Sequence, residues 1–203
     1  MIPALALIVS AVVLPPDAKT QLKLVADKLF STVAQVRAIL PSDEGRERES
    51  IGSGVMVAPG LAVTTLHTVV QARQIEAFLP EHGNVEAHLV ASDPDLDLAL
   101  LRFAADPAMP PPAPLASDEP APGDVLIAMG AGDEEVTVIG VTVSGARGKL
   151  FALSSGRFLD SRYWGGPLYD STGHLAGVSL TAIGEPRGAP ASAVRALIDR
   201  AVP

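Results

Sequence analysis

The chain of 203 residues contains no cysteine. This absence excludes disulfide bonds, thiolate-bound zinc, iron–sulfur clusters and a cysteine nucleophile. Positive charge is also scarce, because 15 Lys and Arg residues stand against 23 Asp and Glu residues and the formal net charge is −8. Binding to a phosphate backbone requires clustered basic residues, so we expect no nucleic-acid partner.

Aromatic residues make up only 4% of the chain and charged residues 19%, whereas hydrophobic residues make up 48%. This apolar content excludes an intrinsically disordered chain. The 18 glycines and 18 prolines indicate many turns between short elements. That combination favours an all-β protein over a helical bundle.

Residues 2–14 (IPALALIVSAVVL) form an uncharged apolar run. The run is shorter than the roughly 20 residues that span a bilayer, but it matches the apolar core of an export signal. No basic residue precedes it and no A-x-A cleavage site follows it. We expect residues 1–16 to be an export signal or membrane tether, which implies a periplasmic or secreted protein. A retained, buried strand or helix is the alternative.

The rest of the chain reads as two sets of short strands between two helices. Amphipathic spacing predicts helices over residues 17–31 and 191–201. Alternating, β-branched segments predict strands at 32–40, 54–58, 61–65, 74–79, 85–91 and 98–103, and again at 125–129, 135–144, 149–154, 167–170 and 174–182. Residues 41–50 are predicted to be a charged loop. This spacing is typical of β-sandwiches and β-barrels.

A proline-rich connector separates the two sets of strands. Proline cannot donate a hydrogen bond to a β-ladder, so residues 105–123 are predicted to be a stiff, extended segment. The predicted organisation is a first barrel at about 32–104 and a second at about 124–188. Both belong to one domain that covers residues 17–203.

Four stretches in this order resemble the protease domain of trypsin-like serine peptidases of the bacterial HtrA/Deg type. They are GSGVMV with TTLHTVV at 52–57 and 64–70, DPDLDLALL at 93–101, PGDVLIAMG at 122–130, and GGPL with GHLAGV at 165–168 and 173–178. The resemblance implies a double antiparallel β-barrel with the site in the cleft between the barrels. It also implies that His67 matches the general base and Asp97 the carboxylate that orients it.

The position of the nucleophile departs from the family pattern. Aligning GGPL places Trp164 where the serine stands, and indole carries no nucleophilic oxygen. The two preceding positions, Arg162 and Tyr163, replace the family's glycine and asparagine, so the oxyanion region from Arg162 to Gly165 is degenerate. Arginine is expected to carry a steric cost there, because the family's glycine gives the backbone its freedom.

Three interpretations of His67 and Asp97 follow. In the first, they are the remnant of a triad in a pseudoprotease that binds a peptide or protein as scaffold or regulator. In the second, the chain is an active endopeptidase with a displaced nucleophile such as Ser161. In the third, the pair binds a divalent cation with a further ligand, although His82, His88 and His174 lack ligand spacing. We expect neither cofactor nor metal.

Partner binding is predicted to use strand addition to the second barrel. The predicted edge consists of Ser179, Leu180 and Thr181, within residues 179–184. Tyr163 and Trp164 are interpreted either as a plug that fills the vacated site or as an aromatic anchor for a partner. Ser154, Ser155 and Ser179 are expected to be solvated or cross-strand hydroxyls. Homo-oligomerisation is a further expectation from the resemblance.

Overall fold

The computed structural model describes residues 4–7, 16–41, 47–80, 82–104, 109–132, 135–155, 160–180 and 185–201. Within these ranges the chain forms thirteen β-strands and three α-helices. The strands close into two antiparallel six-stranded barrels. The predicted all-β double barrel with short helices near both ends is confirmed.

The first barrel is a closed ring in the order β2-β3-β4-β7-β6-β5. Its strands are β2 (Val33–Leu40), β3 (Arg48–Ala58), β4 (Leu61–Thr65), β5 (Gln74–Leu79), β6 (Gly83–Asp93) and β7 (Leu98–Phe103). Strand alternation turns every second side chain inward, so Ala34, Val36 and Ala38 of β2 enter the barrel core. Apolar residues from each of the other strands join them.

The second barrel closes because β8 pairs with both β9 and β11. Its strands are β8 (Val125–Ala131), β9 (Glu135–Arg147), β10 (Leu150–Ser154), β11 (Pro167–Tyr169), β12 (Leu175–Leu180) and β13 (Arg187–Pro190). A further strand, β1 (Ala4–Leu7), runs parallel to the first residues of β9. This strand falls in the apolar N-terminal run, whose prediction as an export signal stays a prediction.

The helices lie at the ends of the barrels and beside the site. They are α1 (Pro16–Leu29), α2 (Leu66–Val69) and α3 (Ala191–Ala201). Ala26 of α1 and Leu197 of α3 belong to the same apolar cluster as residues from both barrels. That shared cluster fixes the barrels against each other, and so fixes the cleft. No helix among the described residues is both long and apolar enough to cross a membrane.

Several predicted boundaries need correction. Strand β13 (Arg187–Pro190) was not predicted, because Gly188 and Pro190 make its sequence read as a turn. Strand β3 begins at Arg48, inside the predicted charged loop, and pairs with the end of β2.

Candidate functional site

His67 and Asp97 meet at the end of the first barrel. Strand β4 ends at Thr65 and α2 carries His67, while Asp97 closes the turn before β7 with a positive φ of 53°. The Asp97 carboxylate accepts hydrogen bonds from the His67 backbone N–H at 2.8 Å and from its Nδ1 at 2.6 Å. The Asp97 carbonyl also accepts from the Leu66 N–H at 2.9 Å. Backbone and side chain together therefore hold the imidazole in one orientation.

The other ring nitrogen of His67 faces an indole instead of a hydroxyl group. The ring centroids of His67 and Trp164 are 5.4 Å apart in an edge-on arrangement with an interplanar angle of 67°. His67 Nε2 and Trp164 Nε1 are both buried, and neither has a hydrogen-bond partner. The nearby hydroxyls of Thr65 and Thr68 bond each other at 2.7 Å.

The turn before Trp164 uses its own backbone N–H groups. A 3-10 turn covers Ser161–Tyr163, and Asp160 caps it by accepting from the Arg162 N–H at 3.0 Å. The Trp164 N–H donates to the Ser161 carbonyl at 3.2 Å, and the Tyr163 N–H donates to the Asp160 carbonyl at 3.0 Å. In the family pattern that the sequence resembles, the N–H groups at the nucleophile position and two residues before it, here Trp164 and Arg162, would be the free donors of an oxyanion hole. In this turn both are satisfied, as is the N–H of Tyr163.

The Asp160–Arg162 pair reinforces the turn through side chains. Arg162 Nη2 donates to Asp160 Oδ2 at 2.7 Å, and Nε also donates to the same carboxylate. These hydrogen bonds hold the pKa of Asp160 below its ordinary value and raise the pKa of the Arg162 guanidinium. The expected steric cost at Arg162 is wrong, since its backbone lies in the right-handed 3-10 turn and has no positive φ.

Gly165 and Gly166 follow Trp164 in a tightly packed bend. Gly165 has φ +81°, and a Cβ there would lie 2.3 Å from the Ser53 carbonyl oxygen. The Ser53 N–H donates to the Trp164 carbonyl at 2.6 Å, and the Gly165 N–H donates to the Ser179 carbonyl at 2.8 Å. The backbone at Trp164 is therefore fixed to strands of both barrels.

The two adjacent aromatic residues occupy different environments. Tyr163 is 5% exposed and packs in the core of the second barrel. Trp164 is only partly buried and lies against His67. Tyr163 thus fills interior space, while Trp164 covers the end of the imidazole that a nucleophile would face.

The predicted peptide-binding edge is not free over its described part. Ser179 and Leu180 pair with β13, and the Ser179 N–H donates to the Gly166 carbonyl on the other side. These two residues therefore lie inside the sheet, and Thr181 lies outside the described residues. Ser179 is also fully buried with its Oγ unpartnered, so the expectation of a solvated or cross-strand hydroxyl is wrong for this residue.

The remaining histidines do not join the pair. His82 Nδ1 lies 3.3 Å from the Pro80 carbonyl, and His174 Nδ1 lies 2.7 Å from Thr172 Oγ1 in the turn between β11 and β12. Across the part of the chain that the structure describes, no group of three or more His, Cys, Asp or Glu side chains could hold a metal ion. Ser161 is exposed on the 3-10 turn and is not bonded to His67.

Two closed barrels with a histidine–aspartate pair in the cleft define the class of trypsin-like peptidase folds. The family model for the trypsin-like peptidase domain matches residues 52–178. The chain therefore belongs to the trypsin-like peptidase family, and its relatives are of the DegP and DegS type.

Curated relatives and a solved structure agree with this assignment. A probable periplasmic serine endoprotease, DegP-like, of Ectopseudomonas mendocina is 29% identical over 68% of this chain and 31% of its own length. The serine endoprotease DegS of Haemophilus influenzae is 31% identical over 67% of this chain and 43% of its own length. A crystal structure of the serine endoprotease from Yersinia pestis shares the fold, with a TM-score of 0.73, 24% identity, and coverage of 89% of this chain and 66% of that one. The chain thus spans less than half the length of each of these curated relatives.

Two residues of the site were missed from the sequence. Asp160 organises the turn, and an Asp immediately before a turn is a recognisable capping signal. Ser53 accepts a hydrogen bond from the Ala131 N–H at 2.8 Å and donates to the Arg162 carbonyl, so it ties the turn to both barrels. Its place in the GSG motif was visible, but its partners are far away in sequence.

Proposed function

We propose that this chain is a catalytically inactive member of the trypsin-like peptidase family that acts by binding polypeptide in the cleft between its barrels. The observation that carries the proposal is the contact of Trp164 with His67. The ring centroids lie 5.4 Å apart, and an indole occupies the place from which a serine hydroxyl would approach Nε2.

The state of the backbone N–H groups supports the same proposal. Loss of a nucleophile alone lowers turnover by about 10⁶. Loss of one oxyanion donor costs a further ~10²–10³. The Arg162 and Trp164 N–H groups bond within their own turn, so both deficits apply together.

Polypeptide binding follows from the family rather than from a bound ligand. Relatives of this chain are named endoproteases, whose substrates are proteins. We propose that the inactive chain retains a polypeptide partner as a scaffold or regulator, and that it works outside the cytoplasm as its periplasmic relatives do. We also propose that the chain forms a homo-oligomer, which sedimentation of the purified chain would test.

The test is a restoration experiment with a fluorophosphonate probe and casein as substrate. The wild-type chain should neither be labelled nor cleave casein. The triple variant Trp164→Ser, Tyr163→Asn and Arg162→Gly should gain labelling at position 164, because Arg162→Gly removes the guanidinium bonds to Asp160 and gives the backbone the freedom to turn its N–H toward the cleft. Addition of His67→Ala should abolish that gain.

The single variant Trp164→Ser provides a matched control. It supplies a hydroxyl at position 164 but keeps the Arg162 guanidinium bonded to Asp160, which holds the turn in the form that occupies its own N–H groups. Its activity should therefore lie roughly 10²–10³ below that of the triple variant. Casein cleavage by the wild-type chain, lost on Ser161→Ala, would instead establish a displaced nucleophile and end the proposal.

A further inference from the structure

A cavity of about 380 Å³ lies outside the His67 site, where the second barrel, the connector and α3 meet. Its walls come from four parts of the fold that are distant in sequence. They are the turn before β7, which contributes Leu96, the proline-rich connector, the hairpin of β9 and β10, and the first turn of α3. Cavities of roughly 300–1,000 Å³ commonly hold ligands. This cavity is therefore large enough for a binding role that the histidine–aspartate pair does not use.

The walls of the cavity are mostly apolar and rigid. Three proline rings line it together with two large side chains of β10; these residues are Pro120, Pro122, Pro190, Leu150 and Phe151. A proline side chain has no rotamer freedom to lose when a ligand covers it. A surface built from such rings therefore binds at a low ordering cost.

Hydrogen bonds on both sides hold the connector in place along this wall. Ser192 Oγ, in the first turn of α3, donates to the Glu119 carboxylate. Four residues further along the connector, the Gly123 N–H donates to the Val143 carbonyl of β9 at 2.8 Å. The two prolines of the connector lie between these anchors. The cavity is thus formed by fixed segments before any ligand enters.

Two side chains of opposite charge also line the cavity. Lys149 belongs to the turn between β9 and β10, and Glu119 belongs to the connector. Both side chains are described and exposed, and no ion pair joins them. A lysine ammonium only donates hydrogen bonds, and an ionised carboxylate only accepts them. The cavity therefore suits a neutral ligand with an apolar body, one acceptor and one donor, because Glu119 repels an anion and Lys149 repels a cation.

We propose that this cavity binds an aromatic side chain within an extended segment of the polypeptide partner, with the flanking backbone amides on Lys149 and Glu119. This inference rests on the proposed function, because the polypeptide partner supplies the ligand. A residue inside a polypeptide is neutral and has a carbonyl acceptor and an N–H donor beside it. An aromatic ring packs against proline rings as proline-rich peptides do in aromatic grooves, with the roles exchanged.

The first test uses N-acetyl-phenylalaninamide as the probe and the alanine methyl resonances of the full chain as the readout. Ala146 and Ala193 line the cavity, whereas Ala34 and Ala38 lie in the core of the first barrel. Titration with the probe should shift the methyl resonances of Ala146 and Ala193 and leave those of Ala34 and Ala38 unchanged.

Related probes separate the apolar and the polar parts of the recognition. N-acetyl-alaninamide lacks the ring and should bind at least roughly tenfold more weakly. N-acetyl-phenylalanine exchanges the amide donor for a carboxylate, and phenylalaninamide exchanges the acetyl acceptor for an ammonium group. Each should bind about fivefold more weakly, because each loses one hydrogen bond.

A matched pair of variants on α3 places the binding in the cavity. Ala193→Leu fills space in the cavity, whereas Ala196→Leu adds the same side chain at an exposed position of the same helix. Ala193→Leu should abolish the shift at Ala146, and Ala196→Leu should keep the wild-type affinity. Lys149→Met alters only an exposed turn and should weaken binding about fivefold through the lost donor. Far-UV circular dichroism checks that each variant is folded.

Three results would overturn the inference. They are unchanged Ala146 and Ala193 resonances at the highest probe concentration, equal binding of N-acetyl-alaninamide, and wild-type affinity in both Ala193→Leu and Lys149→Met. None of them bears on catalytic inactivity, which fluorophosphonate labelling decides separately. Casein cleavage by the wild-type chain would instead refute the proposed function on which the choice of a polypeptide ligand rests.

Discussion

Replacing Gly165 by alanine should be far more destabilising than the same change at Gly83, although the two φ angles are nearly the same. Gly165 has φ +81° and Gly83 has φ +79°. Both positions therefore carry the cost of a left-handed alanine, about 1–2 kcal/mol. The comparison isolates the surroundings of the added methyl group.

Those surroundings differ sharply. At Gly83 no atom lies within 4 Å of the new Cβ, whereas at Gly165 it would lie 2.3 Å from the Ser53 carbonyl oxygen and 2.6 Å from Thr64 Oγ1. The Ser53 strand cannot withdraw freely, since its N–H is bonded to the Trp164 carbonyl. Overpacking adds about 1–3 kcal/mol. Weakened hydrogen bonds at Gly165 and Ser53 add about 1 kcal/mol more.

We expect Gly83→Ala to lower the free energy of unfolding by about 1–2 kcal/mol. Gly165→Ala should lower it by about 3–6 kcal/mol. Urea unfolding followed by far-UV circular dichroism measures both, and the emission of Trp164 reports the site in the same samples. Equal losses in the two variants would refute the close packing of Gly165 against Ser53.

Three further predictions concern groups around the turn and the barrel interface. Asp160→Asn should lower the free energy of unfolding at neutral pH. This difference from wild type should vanish in acid, because the hydrogen bonds from Arg162 lower the pKa of Asp160 and the carboxylate stabilises the fold only while it is ionised. Urea midpoints compared across acidic pH measure this, and a pH-independent difference would count against it. Above about pH 10, the free energy of unfolding of Tyr169→Phe should fall less steeply with pH than that of the wild type. Burial raises the pKa of the Tyr169 phenol, so its ionisation favours the unfolded chain. Unfolding at alkaline pH gives the comparison, and an unchanged slope would show that Tyr169 does not set it. Ser53→Ala should cost about 1–3 kcal/mol by urea unfolding, because it leaves the Ala131 N–H without its acceptor, and a cost near zero would disprove that role.

Local patterns predicted the strands because they agree with the tertiary fold, and the family resemblance predicted their division into two barrels. The predicted strands at 61–65, 74–79 and 98–103 coincide with β4, β5 and β7. Their alternation and flanking turns carry this information locally. Strand β13 was not predicted because its four residues include a glycine and a proline, and only pairing with β10 and β12 makes them a strand.

The sequence by itself also determined that position 164 carries no hydroxyl group. Indole has no nucleophilic oxygen in any fold, so the substitution at position 164 could be read directly. The pairing of His67 with Asp97 followed from matched motifs, and the 2.6 Å contact bears out their adjacency. Only the tertiary structure decided how the groups around His67 are arranged. It directs the Arg162 N–H to Asp160, places Ser179 inside the sheet and sets the Trp164 indole edge-on to the imidazole. These outcomes depend on contacts between residues far apart in the chain, whose distances and orientations no local pattern of side chains can specify.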